Sequence, residues 1–326
     1  MGALSGKVAL VTGAGKNIGR AIALTLARDG AAVAVNGRSD AAAVDEVVAT
    51  IRAAGGTAVA VMGDVANHEQ ARGVVGAAVQ ALGALDILVS NAGLRRQTPY
   101  LEISLAEWRE IMSVALDGAF FLSQAAIPHM LARGGGAIVA MSGMSNHVGT
   151  PNRAHVSASK AGLEGLMRSL AVEFGGHNIR ANCIAPGAID TVRGASAGPL
   201  PGTLTLEGTP LGRRGTVDEI AGTVRLLVGP EGAYITGQTI HVNGGVYLTK
   251  PSGTFLKKRT KKLFPPSARA GWPARALAGK VFFASFFFRK KKTLTSTSPS
   301  APPAAASPRT SCRTGPRSAS PCRSRA

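Results

Sequence analysis

Two neighbouring stretches carry the side chains best suited to moving protons, GMSNHVG at 143–149 and NRAHVSASK at 152–160. With the residue just before them they supply the hydroxyls of Ser142, Ser145 and Ser157, the imidazoles of His147 and His155, and the amine of Lys160. An imidazole titrates near neutral pH, so it can give or take a proton there. Ser157 is three residues before Lys160 and shares a helix face with it. His155 is five before, about 140° around a helix. It can serve the same reactant as Lys160 only if the helix begins after it. The plainer alternatives are a helix-start residue for His155 and a solvated loop residue for His147.

A third stretch binds rather than reacts. The apolar run 8–11 reads as a buried strand and leads directly into Thr12, Gly13, Ala14, Gly15, Lys16, Asn17, Ile18 and Gly19. A helical stripe of Ile18, Ile22, Ala23 and Leu26 follows. Strand, glycine turn and helix aim free N–H groups and the positive end of a helix at one point, which suits a pyrophosphate. Gly13 and Gly19 let backbone and ligand approach closely. In this context the turn predicts a dinucleotide site; the alternative is a tight turn without a ligand. The second strand ends in Asn36, Gly37, Arg38 and Ser39, with no carboxylate to hold a ribose diol. Arg38 offers donors suited to a phosphate and Lys16 adds a cation, so NADP(H) is expected ahead of NAD(H).

The elements that must position these residues alternate regularly. Strands are predicted at 32–35, 57–62, 87–89, 137–141, 179–184 and 238–242. Helices are predicted at 41–53, 68–82, 105–131, 155–174 and 217–227, with a polar loop at 142–153 and a loop or lid at 192–210. Strand alternating with helix predicts an α/β fold, a doubly wound and mainly parallel sheet with helices on both faces. One domain is expected over 1–250. The net charge of +19 does not belong to it. Of the 37 basic residues, 17 lie in 251–326 with no acid among them, which leaves 20 basic against 18 acidic residues in the body. That Pro- and Ser-rich tail is expected to be disordered and not ancestral to the fold. Nucleic acid is an unlikely partner on this distribution. The apolar run 281–288 is too short to span a membrane, the short stretch before the first strand is not expected to act as a secretory leader, and a cytoplasmic location is expected. The three cysteines, Cys183, Cys312 and Cys322, have no metal-ligand spacing.

Several motifs occur together: Thr12-Gly13 with Gly19, Asp64-Val65, Asn91-Ala92-Gly93, Lys160-Ala161-Gly162, Asn182 with Pro186-Gly187, and Gly237-Gln238 with Val242-Asn243-Gly244-Gly245. Through them residues 5–247 resemble the short-chain dehydrogenase/reductase family. The resemblance implies a Rossmann-type sheet, a nicotinamide dinucleotide and hydride exchange with a small carbonyl compound or secondary alcohol. It implies that Thr12, Gly13, Ile18 and Gly19 follow the pyrophosphate and that Asp64 and Val65 hold the adenine edge. Asn91, Ala92 and Gly93 would line the cofactor, Lys160 would bond the nicotinamide ribose, and Pro186, Gly187, Ile189 and Thr191 would cradle the nicotinamide. It also implies a homodimer or homotetramer built through 105–131, 155–174 and 237–246. Asn17 stands where the family usually has Gly, a tolerable exchange in a left-handed turn.

The family's proton donor is a Tyr four residues before the Lys, where this chain has Val156. The family's Ser and relay Asn fall on Gly143 and Ala115. Two readings follow. One is an enzyme with rebuilt proton chemistry, for which Ser142, His147, His155 and Lys160 are the candidates. The other is an inactive protein that binds a dinucleotide or a partner. Arg95 and Arg96 are expected at the mouth of the cleft, where they could meet a substrate carboxylate or phosphate.

Overall fold

The computed structural model describes residues 2–192 and 209–248, and the predicted tail 251–326 and most of the predicted lid 192–210 lie outside them. Seven strands form one sheet: β1 (Val8–Val11), β2 (Ala32–Gly37), β3 (Ala58–Met62), β4 (Ile87–Ser90), β5 (Gly136–Met141), β6 (Ile179–Pro186) and β7 (Thr239–Val242). Their order is β3-β2-β1-β4-β5-β6-β7 and every pairing is parallel. Parallel strands are joined by crossovers, so helices cover both faces and the strands are mainly apolar. VALV of β1 is buried at all four positions.

Alternate strand residues point to opposite faces, and the core divides accordingly. Ala9, Val11, Val33 and Val35 face α1 (Asn17–Arg28), α2 (Ala41–Ala53) and α8 (Val217–Val228). Leu10, Ala34 and Leu88 face α3 (His68–Leu82), α5 (Gly118–Ala132) and α7 (Ala154–Phe174). Each fully buried Leu or Ile contributes about 2 kcal/mol of apolar burial, so both faces are needed to hold the sheet.

Two departures from the predicted elements concern the site. The expected helix 105–131 runs as α4 (Leu105–Met112), a π turn at Ser113–Asp117, and α5. The widened turn seats Leu116 against α7, where a Cβ on Gly162 would meet Leu116 Cδ2 at 2.9 Å. Ala115, in that turn, is buried. The stretch Leu105–Ala132 is also long and apolar enough to cross a membrane, but half of its most apolar window is buried inside the domain. It serves as a core helix here. The predicted loop 142–153 contains a short helix, α6 (Ser145–Val148).

Buried Asn182 locks β6 to the turn before β7. Its Nδ2 donates to Ile235 O at 2.8 Å and its Oδ1 accepts from Gln238 N at 3.0 Å. Replacing it with Ala strands both backbone groups, so Asn182→Ala is expected to destabilise the fold by about 3 kcal/mol. Urea unfolding checks this; an unchanged midpoint would remove Asn182 from the framework.

Candidate functional site

The sheet reverses its winding between β1 and β4, where α/β folds bind ligands beyond the carboxyl ends of their strands. The β1 and β4 ends are tied together by side chains. Thr12 Oγ1 accepts from Asn91 N at 3.0 Å and Ala92 N at 3.1 Å, and donates to Val89 O. Asn91 Nδ2 donates to Thr12 O at 2.9 Å and Gly13 O at 3.1 Å. The turn between them holds Gly13 at φ +59° and Asn17 at φ +50°. No side chain caps the start of α1, so its first amides are available to an anion. A Cβ on Gly19 would collide with Gly13 O and lie 2.7 Å from Asn91 Nδ2.

Two recesses open on this turn. One brings together Gly13, Gly15, Lys16, Arg38, Asp64, Val65, Ala92 and Gly93. The other brings together Ile18, Asn91, Gly93, Ser142, Val156, Lys160, Pro186, Gly187 and Ile189, with Arg95 and Arg153 in its wall. They meet at Gly93. Open glycine backbone, uncapped amides and two joined recesses fit the nucleotide and nicotinamide halves of a dinucleotide. Arg96 pairs with Glu110 at 2.7 Å.

Other predicted binders hold the site from behind or lie beside it. Thr12 and Gly19 are buried under the turn. Asn17 and Thr191 line a separate recess with Val192, and the Asn17 amide is engaged by Val192 N and O, both at 3.0 Å. Lys16 pairs with Asp40 at 2.7 Å, which raises the Lys16 ammonium and lowers the Asp40 carboxyl. The Lys16 charge is therefore matched within the recess. Among the described residues Arg38 enters no ion pair.

In the second recess Lys160 Nζ donates to Met141 O at 2.5 Å. Burial, and then the Arg95 charge, depress its pKa to about 8. Val156, one turn earlier in α7, presents only methyl groups to the cleft. Ser142 Oγ donates to Glu164 Oε1 at 2.5 Å. The same oxygen accepts from Asn146 Nδ2 at 3.0 Å and lies 2.9 Å from His147 Nε2. Burial acts to raise the Glu164 carboxyl, but the bonds from Ser142 and Asn146 and the neighbouring His147 outweigh it and hold it below the ordinary value. His147 is not among the residues lining the cleft and connects to it through Glu164 and Ser142.

His155 is a correction. Helix α7 starts before it, so the angular offset from Lys160 applies in full. Its ring is fully buried, with Nε2 at 3.0 Å from Glu107 Oε1, and it joins α7 to α4 away from the cleft. Glu164, by contrast, is absent from the sequence reading, where a helical Glu passes for a surface charge. Its place four residues after Lys160, on the same helix face, was the available signal. Cys183 is buried in β6, and burial pushes its thiol up to about 12, which keeps it inert.

Residues 13–247 match the family model described as Enoyl-(Acyl carrier protein) reductase. The chain is 38% identical over 251 residues to a 3-oxoacyl-[acyl-carrier-protein] reductase of Synechocystis sp., covering 76% of this chain and 100% of that protein. It is 39% identical over 248 residues to an L-rhamnose 1-dehydrogenase (NAD(P)(+)) of Sphingomonas sp., covering 75% of this chain and 98% of that protein. Among solved structures it is similar to a short-chain dehydrogenase of Burkholderia cenocepacia in complex with NADP. That match has a TM-score of 0.69 and 35% identity, and covers 75% of this chain and 99% of the other.

Proposed function

The chain belongs to the short-chain dehydrogenase/reductase family of hydride-transferring oxidoreductases, and on that premise we propose that it works with NADP(H) ahead of NAD(H) on a small carbonyl compound or secondary alcohol. The observation that carries this reading is the pair of recesses meeting at Gly93, one beside Arg38 and one beside Lys160. The bound nicotinamide would supply or accept the hydride. Gly13, Gly15 and the amides opening α1 would hold the pyrophosphate. Asp64 and Val65 would border the adenine, and Lys160 would bond the ribose hydroxyls. Pro186, Gly187 and Ile189 would keep water from the nicotinamide. Lys160 would also stabilise negative charge developing on the substrate oxygen. The two named relatives act on chemically different substrates, which supports the carbonyl–alcohol exchange as the shared chemistry and leaves the substrate to this chain's own cleft. A homodimer or homotetramer through the long helices is part of the same proposal.

Val156 favours a second reading, in which the fold binds the dinucleotide without turning over. Titration with NADPH and NADH, followed by a panel of ketones, keto esters and secondary alcohols, separates the two. Turnover supports the first reading; tight nucleotide binding with no turnover supports the second. For the cofactor preference, Arg38→Ala is expected to weaken NADPH binding about tenfold, the loss of one charged contact to a phosphate, and to leave NADH within about twofold. Equal losses for both nucleotides would take Arg38 out of phosphate recognition.

A further inference from the structure

We propose that Glu164, acting through the hydroxyl of Ser142, receives the proton of an alcohol bound in the cleft and returns it when a carbonyl is reduced. The proposal rests on the hydride-exchange reading above. An ionised carboxylate only accepts hydrogen bonds. The proton of Ser142 Oγ is therefore committed to Glu164 Oε1 at 2.5 Å. What Ser142 offers the cleft is an oxygen with free lone pairs, which suits a substrate hydroxyl as donor. Ser142 lines the cleft together with Lys160 and Val156, while Glu164 lies behind it with 6% exposure. Asn146 and His147 fix the accepting oxygen from the α6 side.

The transfer balances. The substrate C–H bond breaks and its electron pair leaves as hydride to the oxidised nicotinamide cofactor. The substrate O–H proton passes to Ser142 Oγ as Ser142's own proton passes to Glu164 Oε1. A C=O bond forms and the carboxylate becomes a carboxyl. In the reducing direction both protons move back. His147, with a side chain 17% exposed, gives the buried carboxyl a route to solvent. The titratable and charged groups around Glu164 are His147 on α6, His241 on β7 with Tyr247 beyond it, Cys183 on β6, and Lys160 and Arg168 one turn either way on α7. His147 meets the His241 ring edge-on at 4.5 Å and Tyr247 at 5.0 Å. Glu164 touches no substrate itself and is a positioning and relay residue.

The test is Glu164→Gln, which keeps an oxygen for Ser142 but cannot take the proton at working pH. With NADP+ and the best alcohol of the panel, kcat should fall about 100-fold or more, the range of lost acid–base assistance. KM and the NADPH Kd should stay within about threefold, a small change on the affinity scale. The low-pH limb of the kcat profile should vanish, and Glu164→Asp should restore part of kcat. In cofactor-free protein, infrared spectroscopy should show a carboxylate band that is lost in Glu164→Gln and shifted in Ser142→Ala. A merely structural Glu164 predicts unchanged kcat and pH profile for the Gln variant, and that result overturns the relay. If the Gln variant fails to fold, Ser142→Ala decides: the same loss supports the relay and wild-type kcat overturns it. A wild-type protein that binds NADPH but turns over nothing in the panel overturns the hydride-exchange reading, and the relay with it.

Discussion

Replacing Lys160 with Met is expected to raise the melting temperature by about 4–8 °C while lowering turnover by about 100- to 1000-fold. Burial in the cleft wall, and then the Arg95 charge, lower the pKa of the ammonium from 10.5 to about 8. A drop of that size corresponds to about 3 kcal/mol that the fold spends at neutral pH on keeping the lysine charged. Methionine removes that penalty and gives up the bond to Met141 O, worth about 1 kcal/mol. The net gain of about 2 kcal/mol sets the expected shift for a domain of this size. Its sign depends on pH. Between about 8 and 10.5 the unfolded chain binds the proton and the folded chain does not, so wild-type stability rises with pH across that window. The advantage of the Met variant is complete below pH 8 and closes as pH approaches 10.5. Calorimetry at pH 7 and pH 10 measures both ends. A variant less stable than wild type at pH 7 would mean that the ammonium is paired rather than merely enclosed.

Gly19→Ala should weaken NADPH binding more than about 100-fold, a loss near 3 kcal/mol. Helix propensity alone favours Ala over Gly by about 1 kcal/mol in a helix interior, so without a steric conflict the change would stabilise α1. The conflict decides the sign. The added methyl would strike Gly13 O and lie 2.7 Å from Asn91 Nδ2 and 2.9 Å from Ala14 Cα. Backbone cannot yield as a flexible side chain does, and the Asn91 amide is already committed to Thr12 O and Gly13 O. The turn must open, and its amides lose their common aim. Fluorescence titration reads the loss; an unchanged Kd would show that the turn has room that its geometry does not show.

The sheet and its coverings were legible because each strand is a short apolar run closed by Gly, Asn or Pro, and each amphipathic helix shows a 3.6-residue stripe. The glycine turn between β1 and α1 was legible for the same local reason. What escaped was decided by contacts between distant segments. Lys16 was read as a second cation beside Arg38 with no partner in view, because Asp40 lies at the start of the next helix, where it also accepts from Ala43 N. The π turn at Ser113–Asp117 answers to the close seat of Leu116 on Gly162, which no window around residue 115 contains. His155 and Glu164 exchanged expectations. The histidine drew attention by its chemistry and the glutamate was passed over for its ordinariness. Helix α7 turns the first toward Glu107 and the second toward Ser142.

The bond from Asn91 to Thr12 spans 79 residues of chain. A ribosome that has released only β1, its glycine turn and α1 has made every residue of the turn but not the turn's support. The support arrives with β4, after two further strands and two further helices have emerged. Contacts of such long range form late and slowly. Until β4 is in place the turn lacks the Asn91 side chain that fixes it. A dinucleotide bound to the supported turn would add stability by mass action, and only from the moment β4 is in place.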